Sequence, residues 1–329
     1  MTLSPLRNRG DIRGVILAAG RGERMGSLGT RYPKASLPVC NKPIIEHHIE
    51  LMRSIGIEEV IVLIGHRGYE IAKLLGEGAH LGVKVHYVEQ TVSLGIAHAV
   101  GRLEPYLDRP FLLFLGDIFF SARNLGQMVT RFAEQKGGAV LATKDEEDPA
   151  AIRRNFAIHL SPEGFVTRVI EKPRYTSNRL KGVGLYLFDL TIFDAIRRTP
   201  RTAMRDEYEL TESIQVMIDD GLPVRIADVI DDDVNVTKPS DLLAVNLAHA
   251  RALGERQIIG CGCSIATGAT IEDSVIGSNV VIVNPIRIRR SLIFDGARVD
   301  SAVPLEDAVV TPDGVIDCRR EMVSRTRDG

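Results

Sequence analysis

The chain of 329 residues contains no tryptophan, and aromatic residues make up only 5% of it. Base stacking on an aromatic platform for single-stranded nucleic acid is therefore not expected. Neither sign of charge predominates, because 41 lysines and arginines balance 43 acidic residues to a net charge of −2. Such a chain offers no domain-wide basic surface, and we expect it to bind no nucleic acid.

Cysteines and long apolar runs are scarce as well. The four cysteines form no CxxC pair and are too few for a disulfide scaffold. No apolar run approaches the roughly 20 residues that cross a bilayer, and the basic N-terminal segment lacks the apolar stretch of a secretory signal. We expect reduced thiols, no membrane partner and a cytoplasmic location.

Apolar runs alternate with helix-like stretches up to about Leu253. The runs Gly14–Leu17, Val60–Ile64 and Phe111–Leu115 are apolar throughout, and Pro43–Ile55 carries apolar residues at helical spacing. Uniformly apolar strands separated by helices indicate a parallel sheet that is covered on both faces. We predict an α/β fold with a doubly wound mixed, mostly parallel sheet, whose ligands lie beyond the carboxyl ends of its strands.

The pattern changes after Leu253, where apolar residues recur every five or six positions with small or turn residues between them. This period fits a hexapeptide coil, in which each short strand turns one apolar side chain inward; an irregular all-β lobe is the alternative. The apolar positions are Ile259, Ile265, Ile271, Ile276, Ile282, Ile288, Ile293 and Val299. We predict an α/β domain over residues 1–253, the coil over 254–310 and a polar, loosely held tail over 311–329.

A glycine-rich segment follows the first apolar run, from Leu17 to Lys34. Its glycines let backbone N–H groups approach an anion, while Arg24 offers a fork suited to phosphate oxygens and Lys34 a point charge. The segment is not a P-loop, because no Gly-Lys-Ser/Thr follows, and Met25 stands where a dinucleotide fingerprint needs a third glycine. A tight structural turn is the alternative to an anion site.

This segment, LAAGRGERM followed by Pro33-Lys34, resembles the signature of the sugar-1-phosphate nucleotidyltransferases. Further segments similar to that family follow in the family's order, over about residues 12–310, and the likeness is closest to the glucose-1-phosphate thymidylyl- and uridylyltransferases. The segments are Gln90 with Leu94-Gly95-x-Ala97-His98-Ala99, Leu115-Gly116-Asp117, Glu171-Lys172-Pro173, Gly184-Leu185-Tyr186-x-Phe188, Glu209-Leu210-Thr211 and Asn235-Val236-x-x-Pro239-x-Asp241-Leu242.

The resemblance implies an enzyme that transfers a nucleotidyl group from an NTP, with UTP or dTTP favoured, to a sugar 1-phosphate such as glucose 1-phosphate. The products would be an NDP-sugar and pyrophosphate. Such transfers rely on positioning and charge neutralisation, and we find no convincing catalytic triad in the sequence. The resemblance also implies a Mg²⁺ cofactor, a Rossmann-like first domain, a left-handed parallel β-helix and a homo-oligomer, either a dimer or a tetramer.

The resemblance further implies a role for individual residues. The catalytic residues would be Arg24, Lys34, Asp117 and Lys172. The nucleotide-binding residues would be Leu17, Ala18, Ala19, Gly20, Gly22, Arg24, Gln90, Gly95 and Asp117. The sugar-phosphate-binding residues would be Lys34, Ala157, Glu171, Lys172 and Gly182. The metal ligands would be Asp117 and Asn235.

Gln90 is the residue that the resemblance assigns to the base. A side-chain amide carries a donor and an acceptor side by side, so it can bond bidentately to the O–C–N–H edge of uracil or thymine. One glutamine does not exclude other bases. We assign no role to His98 or the neighbouring histidines, and we expect the acidic run Asp231–Asp233 to be a solvated loop.

Three positions depart from the family pattern. Glu23 stands in place of the usual Thr or Ser, Ala157 in place of a glycine that faces the sugar, and Asn235 in place of the usual Asp. These changes keep open a non-catalytic regulator that binds nucleotide. A hexapeptide acyltransferase is a weaker alternative, because such sites usually need a histidine base and Ile258–Val310 contains none.

Overall fold

A computed structural model describes residues 11–176, 178–202 and 206–319. The chain divides into two compact units, residues 1–21 with 45–233 and residues 22–44 with 234–329. This division differs from the predicted boundary after residue 253, because the segment 22–44 and the last helix group with the coil. No helix in the described ranges combines the length and the apolar character needed to span a bilayer.

The elements before the coil alternate along the chain much as the apolar pattern predicts. In chain order the strands are β1 (Arg13–Ala18), β2 (Pro38–Val39), β3 (Lys42–Pro43), β4 (Glu59–Ile64), β5 (Lys84–Glu89), β6 (Phe111–Leu115), β7 (Ile118–Ala122), β8 (Ala139–Asp145), β9 (Phe156–Leu160), β10 (Val166–Glu171), β11 (Leu180–Phe188), β12 (Val224–Asp228) and β13 (Ile230–Asn235). The helices are α1 (Ser27–Arg31), α2 (Ile44–Ser54), α3 (Gly68–Leu75), α4 (Ile96–Gly101), α5 (Gly126–Gln135), α6 (Pro149–Arg154), α7 (Ile192–Arg198), α8 (Leu210–Asp219) and α9 (Pro239–Ala252).

The first unit is built on one nine-stranded sheet, with the order β10-β9-β11-β6-β1-β4-β5 and with β8 and β12 continuing from β11. The strands β6, β1, β4 and β5 run parallel, and β12 runs parallel to β8. The other four of the eight pairings are antiparallel. The sheet is therefore mixed as predicted, but the expectation that it is mostly parallel was wrong. A short connection such as the one between β9 and β10 can join only antiparallel neighbours.

The strand β1 lies at the centre of the parallel half, between β4 and β6. Val15 and Ile16 are fully buried there, as expected of a strand covered on both faces. The chain leaves β1 towards β4 and β5 and returns on the other side to β6, so the strand order reverses at β1. Ligands of open α/β sheets bind at such a switch point, beyond the carboxyl ends of the strands.

The second unit contains the coil, and the predicted succession of short parallel strands is confirmed. Its strands are β14 (Gln257–Ile259), β15 (Ser264–Ile265), β16 (Thr270–Glu272), β17 (Ser274–Ile276), β18 (Val281–Ile282), β19 (Arg287–Arg289), β20 (Leu292–Ile293), β21 (Arg298–Val299), β22 (Leu305–Glu306), β23 (Ala308–Thr311) and β24 (Gly314–Asp317). They form three sheets, of which β14-β17-β20-β23 is the longest parallel stack. Gln257 pairs with Ser274 and Val281 with Arg298, so one turn takes 17 residues.

The end of the coil differs from the predicted tail. The strand β24 pairs antiparallel with β23, and Cys318 is buried. Pairing with β24 covers the otherwise open edge of β23, which a sheet commonly needs at its end. The expectation of a loosely held tail is therefore wrong for residues 311–319, and residues 320–329 lie outside the described part of the chain.

Candidate active site

The switch point of the first unit joins two of the predicted segments. Leu17 and Ala18 end β1, and Ala19 and Gly20 follow directly. The backbone N–H of Gly116 donates to the Leu17 carbonyl at 2.9 Å, and a Cβ atom at Gly116 would lie 2.6 Å from that oxygen. Only glycine permits this approach, which holds the turn carrying Asp117 against the end of β1.

A buried histidine anchors the same turn from its other side. The ring Nε2–H of His48, on α2, donates to the carbonyl of Ile118 at 2.7 Å, and the ring packs edge-on against Phe114. Burial lowers the pKa of His48 to about 4, so the ring is neutral near pH 7 and keeps this donor. His48 is thus a packing residue, and it fixes the backbone next to Asp117.

The predicted base-recognition segment lies beyond β5. The backbone N–H of Gln90 donates to the Ile64 carbonyl at 2.8 Å, which continues the β4–β5 ladder. Gly95 has a φ of 106°, and a Cβ atom there would lie 2.5 Å from the Tyr208 carbonyl. Ala97 donates to that carbonyl at 2.9 Å. The glycine thus lets the segment close onto the backbone of Tyr208.

Sequence reasoning missed His98. Gln90 is only 7% exposed, and its amide nitrogen lies 3.1 Å from Nδ1 of His98. The His98 ring stacks on Tyr208, with the ring centroids 6.5 Å apart. The signal was available, because His98 lies within the predicted segment itself, eight positions after Gln90.

The predicted sugar-phosphate residues of the first unit divide into two kinds. Glu171 ends β10 and Lys172 follows it, with the ammonium 3.5 Å from the carboxylate and the Lys172 side chain 39% exposed. The Lys172 backbone N–H donates to the Asn155 carbonyl at 2.8 Å. Ala157 and Gly182 instead lie buried where β9 pairs with β11. The charged pair can therefore reach a solvent-borne ligand directly, whereas Ala157 and Gly182 shape the sheet.

The remaining predicted residues belong to the second unit. Gly22 precedes a 3₁₀ turn over Glu23–Met25, which presents Arg24 to solvent. Lys34 opens another 3₁₀ turn over Lys34–Ser36, and its half-buried side chain runs past Gly22. Asn235 is the last residue of β13 and is half-buried.

The segment that carries Arg24 and Lys34 is fastened to the coil. The ring of Tyr32 packs edge-on against Phe294 of the coil, with centroids 5.3 Å apart. Arg31 forms an ion pair with Asp313, and the Asn41 amide donates to the Ile276 carbonyl at 2.7 Å. No sequence pattern pointed to these contacts, because each joins residues far apart in the chain.

The acidic run before Asn235 is a strand rather than a loop, and its Asp233 side chain is buried while Asp231 and Asp232 are exposed, so the expectation of a solvated loop was wrong for Asp233. It forms part of β13, and the Asp233 side chain is only 1% exposed. The Lys181 ammonium, on a side chain 4% exposed, lies 2.7 Å from Asp233 and 3.1 Å from Glu146. Burying the lysine requires these carboxylates, because an unpaired buried charge is very costly.

The donor chemistry of the predicted metal residues fits Mg²⁺. Asp117 offers carboxylate oxygens on a turn that backbone hydrogen bonds hold in place, and Asn235 offers an amide carbonyl oxygen. Mg²⁺ prefers such hard oxygen ligands and usually completes its shell with water and substrate phosphates rather than with an all-protein cage. Among the described residues no group of three or more His, Cys, Asp or Glu gathers into such a cage.

A glycine-rich switch point followed by a hexapeptide coil defines a nucleotide-binding α/β protein with a repeat domain. The chain belongs to the nucleotidyl transferase family, which matches residues 13–248. A GlmU-like C-terminal hexapeptide region matches residues 243–322.

Curated relatives and a solved structure agree with this assignment. The low-salt glycan biosynthesis nucleotidyltransferase of Haloferax volcanii is 34% identical over 71% of this chain, and the match spans 65% of that relative. A glucose-1-phosphate thymidylyltransferase of Streptomyces antibioticus is 29% identical over 92% of this chain and 81% of its own length. A Bacillus anthracis structure with sucrose, assigned as a glucose-1-phosphate thymidylyltransferase, is 26% identical, with a TM-score of 0.65 over 73% of this chain and 95% of its own.

Proposed function

We propose that this chain is a sugar-1-phosphate nucleotidyltransferase that transfers a uridylyl or thymidylyl group to glucose 1-phosphate or a close relative. The observation that carries the proposal is the switch point, where the Gly116-Asp117 turn packs on the end of β1 just before the glycine-rich segment. The name of the Streptomyces relative supports the choice of reaction and of sugar, and the name of the Haloferax relative supports nucleotidyl transfer.

In the proposed reaction an oxygen of the sugar phosphate attacks the α-phosphorus of the NTP. A new P–O bond forms, the bond from the α-phosphorus to the bridging oxygen breaks, and pyrophosphate leaves with that electron pair. Both substrates are polyanions, so catalysis depends on positioning and on neutralising charge. Arg24 would bind the triphosphate, while Lys34 and Lys172 would bind the sugar phosphate and orient the attacking oxygen.

Asp117 and Asn235 would hold Mg²⁺, which supplies positive charge to the phosphate oxygens when bound. Gln90 would read the O–C–N–H edge of uracil or thymine through its amide. From the family resemblance we further propose that the protein is a cytoplasmic homo-oligomer, either a dimer or a tetramer. We also propose that the coil is a left-handed β-helix.

The test is a matrix of UTP, dTTP, CTP, ATP and GTP against several sugar 1-phosphates with Mg²⁺, in which pyrophosphate release is measured. We expect release to be fastest with UTP or dTTP and glucose 1-phosphate. An Asp117→Ala variant should lose release, whereas Asp108→Ala, which removes an exposed carboxylate, should keep it. Nucleotide binding without pyrophosphate from any pair would instead identify a non-catalytic regulator.

A further inference from the structure

His48 is a fully buried polar side chain on α2. Its ring nitrogen Nε2 lies 2.7 Å from the carbonyl oxygen of Ile118. A carbonyl oxygen can accept a hydrogen bond but cannot donate one, so the neutral ring must carry its proton on Nε2. The partner of His48 thereby fixes which nitrogen is the donor.

The bond from His48 is one of two that hold the turn around Asp117. One residue before Asp117, the backbone N–H of Gly116 donates to the Leu17 carbonyl at 2.9 Å. One residue after Asp117, the Ile118 carbonyl accepts from His48. The backbone is therefore tied to β1 on one side of Asp117 and to α2 on the other, which gives the Cα–Cβ bond of Asp117 a defined direction.

Packing alone does not explain a histidine at this position. The ring centroid of His48 lies 5.1 Å from that of Phe114 and 5.5 Å from that of Phe120. Within the described part of the chain, Nδ1 of His48 is buried without a hydrogen-bond partner, and burying an unpaired polar atom costs free energy. A phenylalanine would fit these aromatic surroundings without that cost, but it could not donate to the Ile118 carbonyl.

We propose that His48 is a positioning residue that sets the affinity of Asp117 for the divalent cation by holding the Ile118 carbonyl. The proposal rests on the role of Asp117 in the proposed function. Groups that orient a metal ligand have a strong effect on metal affinity, because they keep the ligand in the geometry that the ion requires. His48 acts through the backbone of the turn, so it is not a catalytic residue.

The test separates the N–H of His48 from its ring. His48→Phe keeps the ring and removes the donor, whereas His48→Gln keeps an N–H donor at a similar reach and removes the ring. The matched control is His86→Phe, which makes the same substitution at an exposed position of β5.

We would titrate each full-length variant with Mn²⁺, with and without UTP, and follow free Mn²⁺ by electron paramagnetic resonance. The second measurement is the Mg²⁺ concentration that gives half-maximal pyrophosphate release. Thermal unfolding of each variant reports whether it is folded.

In His48→Phe we expect the dissociation constant of Mn²⁺ from the complex of protein and UTP to rise on the order of tenfold. The Mg²⁺ concentration for half-maximal release should rise with it. His48→Gln and His86→Phe should stay near the wild-type affinity, although His48→Gln should unfold at a lower temperature because it loses the ring contacts. A role in stability alone would instead leave the Mn²⁺ affinity of every folded variant unchanged.

Four results would overturn the proposal: an unchanged Mn²⁺ affinity in His48→Phe, an equal loss of affinity in His48→Gln, failure of His48→Phe to fold, or no Mn²⁺ binding by the wild-type protein. If the wild-type protein releases no pyrophosphate from any pair of substrates, the proposed function fails, yet the Mn²⁺ titration still decides the role of His48.

Discussion

The two units of this protein hold their predicted site residues by different means. In the first unit, Asp117 and Gln90 follow strands of one sheet, and backbone hydrogen bonds continue from the strands into their turns. In the second unit, Arg24 and Lys34 lie on short 3₁₀ turns, and the segment around them is fastened by side chains of the coil. We therefore expect changes in the coil to act on the segment that carries Arg24 and Lys34, and changes in the sheet to act on Asp117 and Gln90.

The largest effect should come from the buried charge in the first unit. Lys181→Met leaves the buried Asp233 carboxylate without its ion-pair partner, and removing one partner of a buried pair costs about 3–5 kcal/mol. We expect the free energy of unfolding in urea to fall by that amount. Lys144→Met is the control, because Lys144 pairs with the exposed Asp232; equal losses in both variants would show that burial does not matter here.

Arg24→Ala should lose less stability but most of the activity. If the guanidinium stabilises charge in the transition state, its loss lowers kcat on the order of 10²- to 10³-fold, with little change in unfolding because Arg24 is exposed. Arg21→Ala removes an equally exposed arginine from the first unit and should remain within about threefold of wild type. Near-normal pyrophosphate release by Arg24→Ala would refute its role.

Phe294→Leu tests whether the coil supports the cationic segment. An edge-on aromatic pair contributes about 0.5–1.5 kcal/mol beyond buried area, so kcat/KM for the sugar 1-phosphate should fall about two- to tenfold. Phe294→Tyr keeps the ring and should restore the value, and the ratio of UTP to CTP should not move in either variant. Wild-type kinetics in Phe294→Leu would show that this contact with the coil does not support the site.

The smallest effect should come from the ion pair of Arg31 with Asp313. Both side chains are well exposed, and exposed pairs contribute about 0–1 kcal/mol. Arg31→Gln should therefore change the unfolding free energy by less than 1 kcal/mol, and high salt should remove even that difference. A loss of unfolding free energy larger than the loss measured for Phe294→Leu would show that the ion pair contributes more to stability than the aromatic contact.

Much of the fold could be predicted, because it depends on local periodicity. The apolar runs ending at Leu17, Ile64 and Leu115 became parallel strands of the central sheet, and the recurring apolar residues after Leu253 became the coil. The extent of the antiparallel pairing was not predicted, since parallel and antiparallel strands of this sheet differ in pairing rather than in composition. For the site, the order and the residue types of the family-like motifs pointed to the segments that carry the candidate residues. The roles of the individual residues remain predictions.

The sequence by itself determined the element types, the repeat of the coil and the candidate residues, because these depend on neighbours along the chain. Only the tertiary structure decided that Asp233 pairs with Lys181 inside the protein, that Gln90 contacts His98, and that Phe294 packs on Tyr32. Burial decides the first two contacts, because a charge or an amide withdrawn from water must find its partner in space, and the third is a packing contact between rings; the pattern along the chain does not specify which distant residues meet.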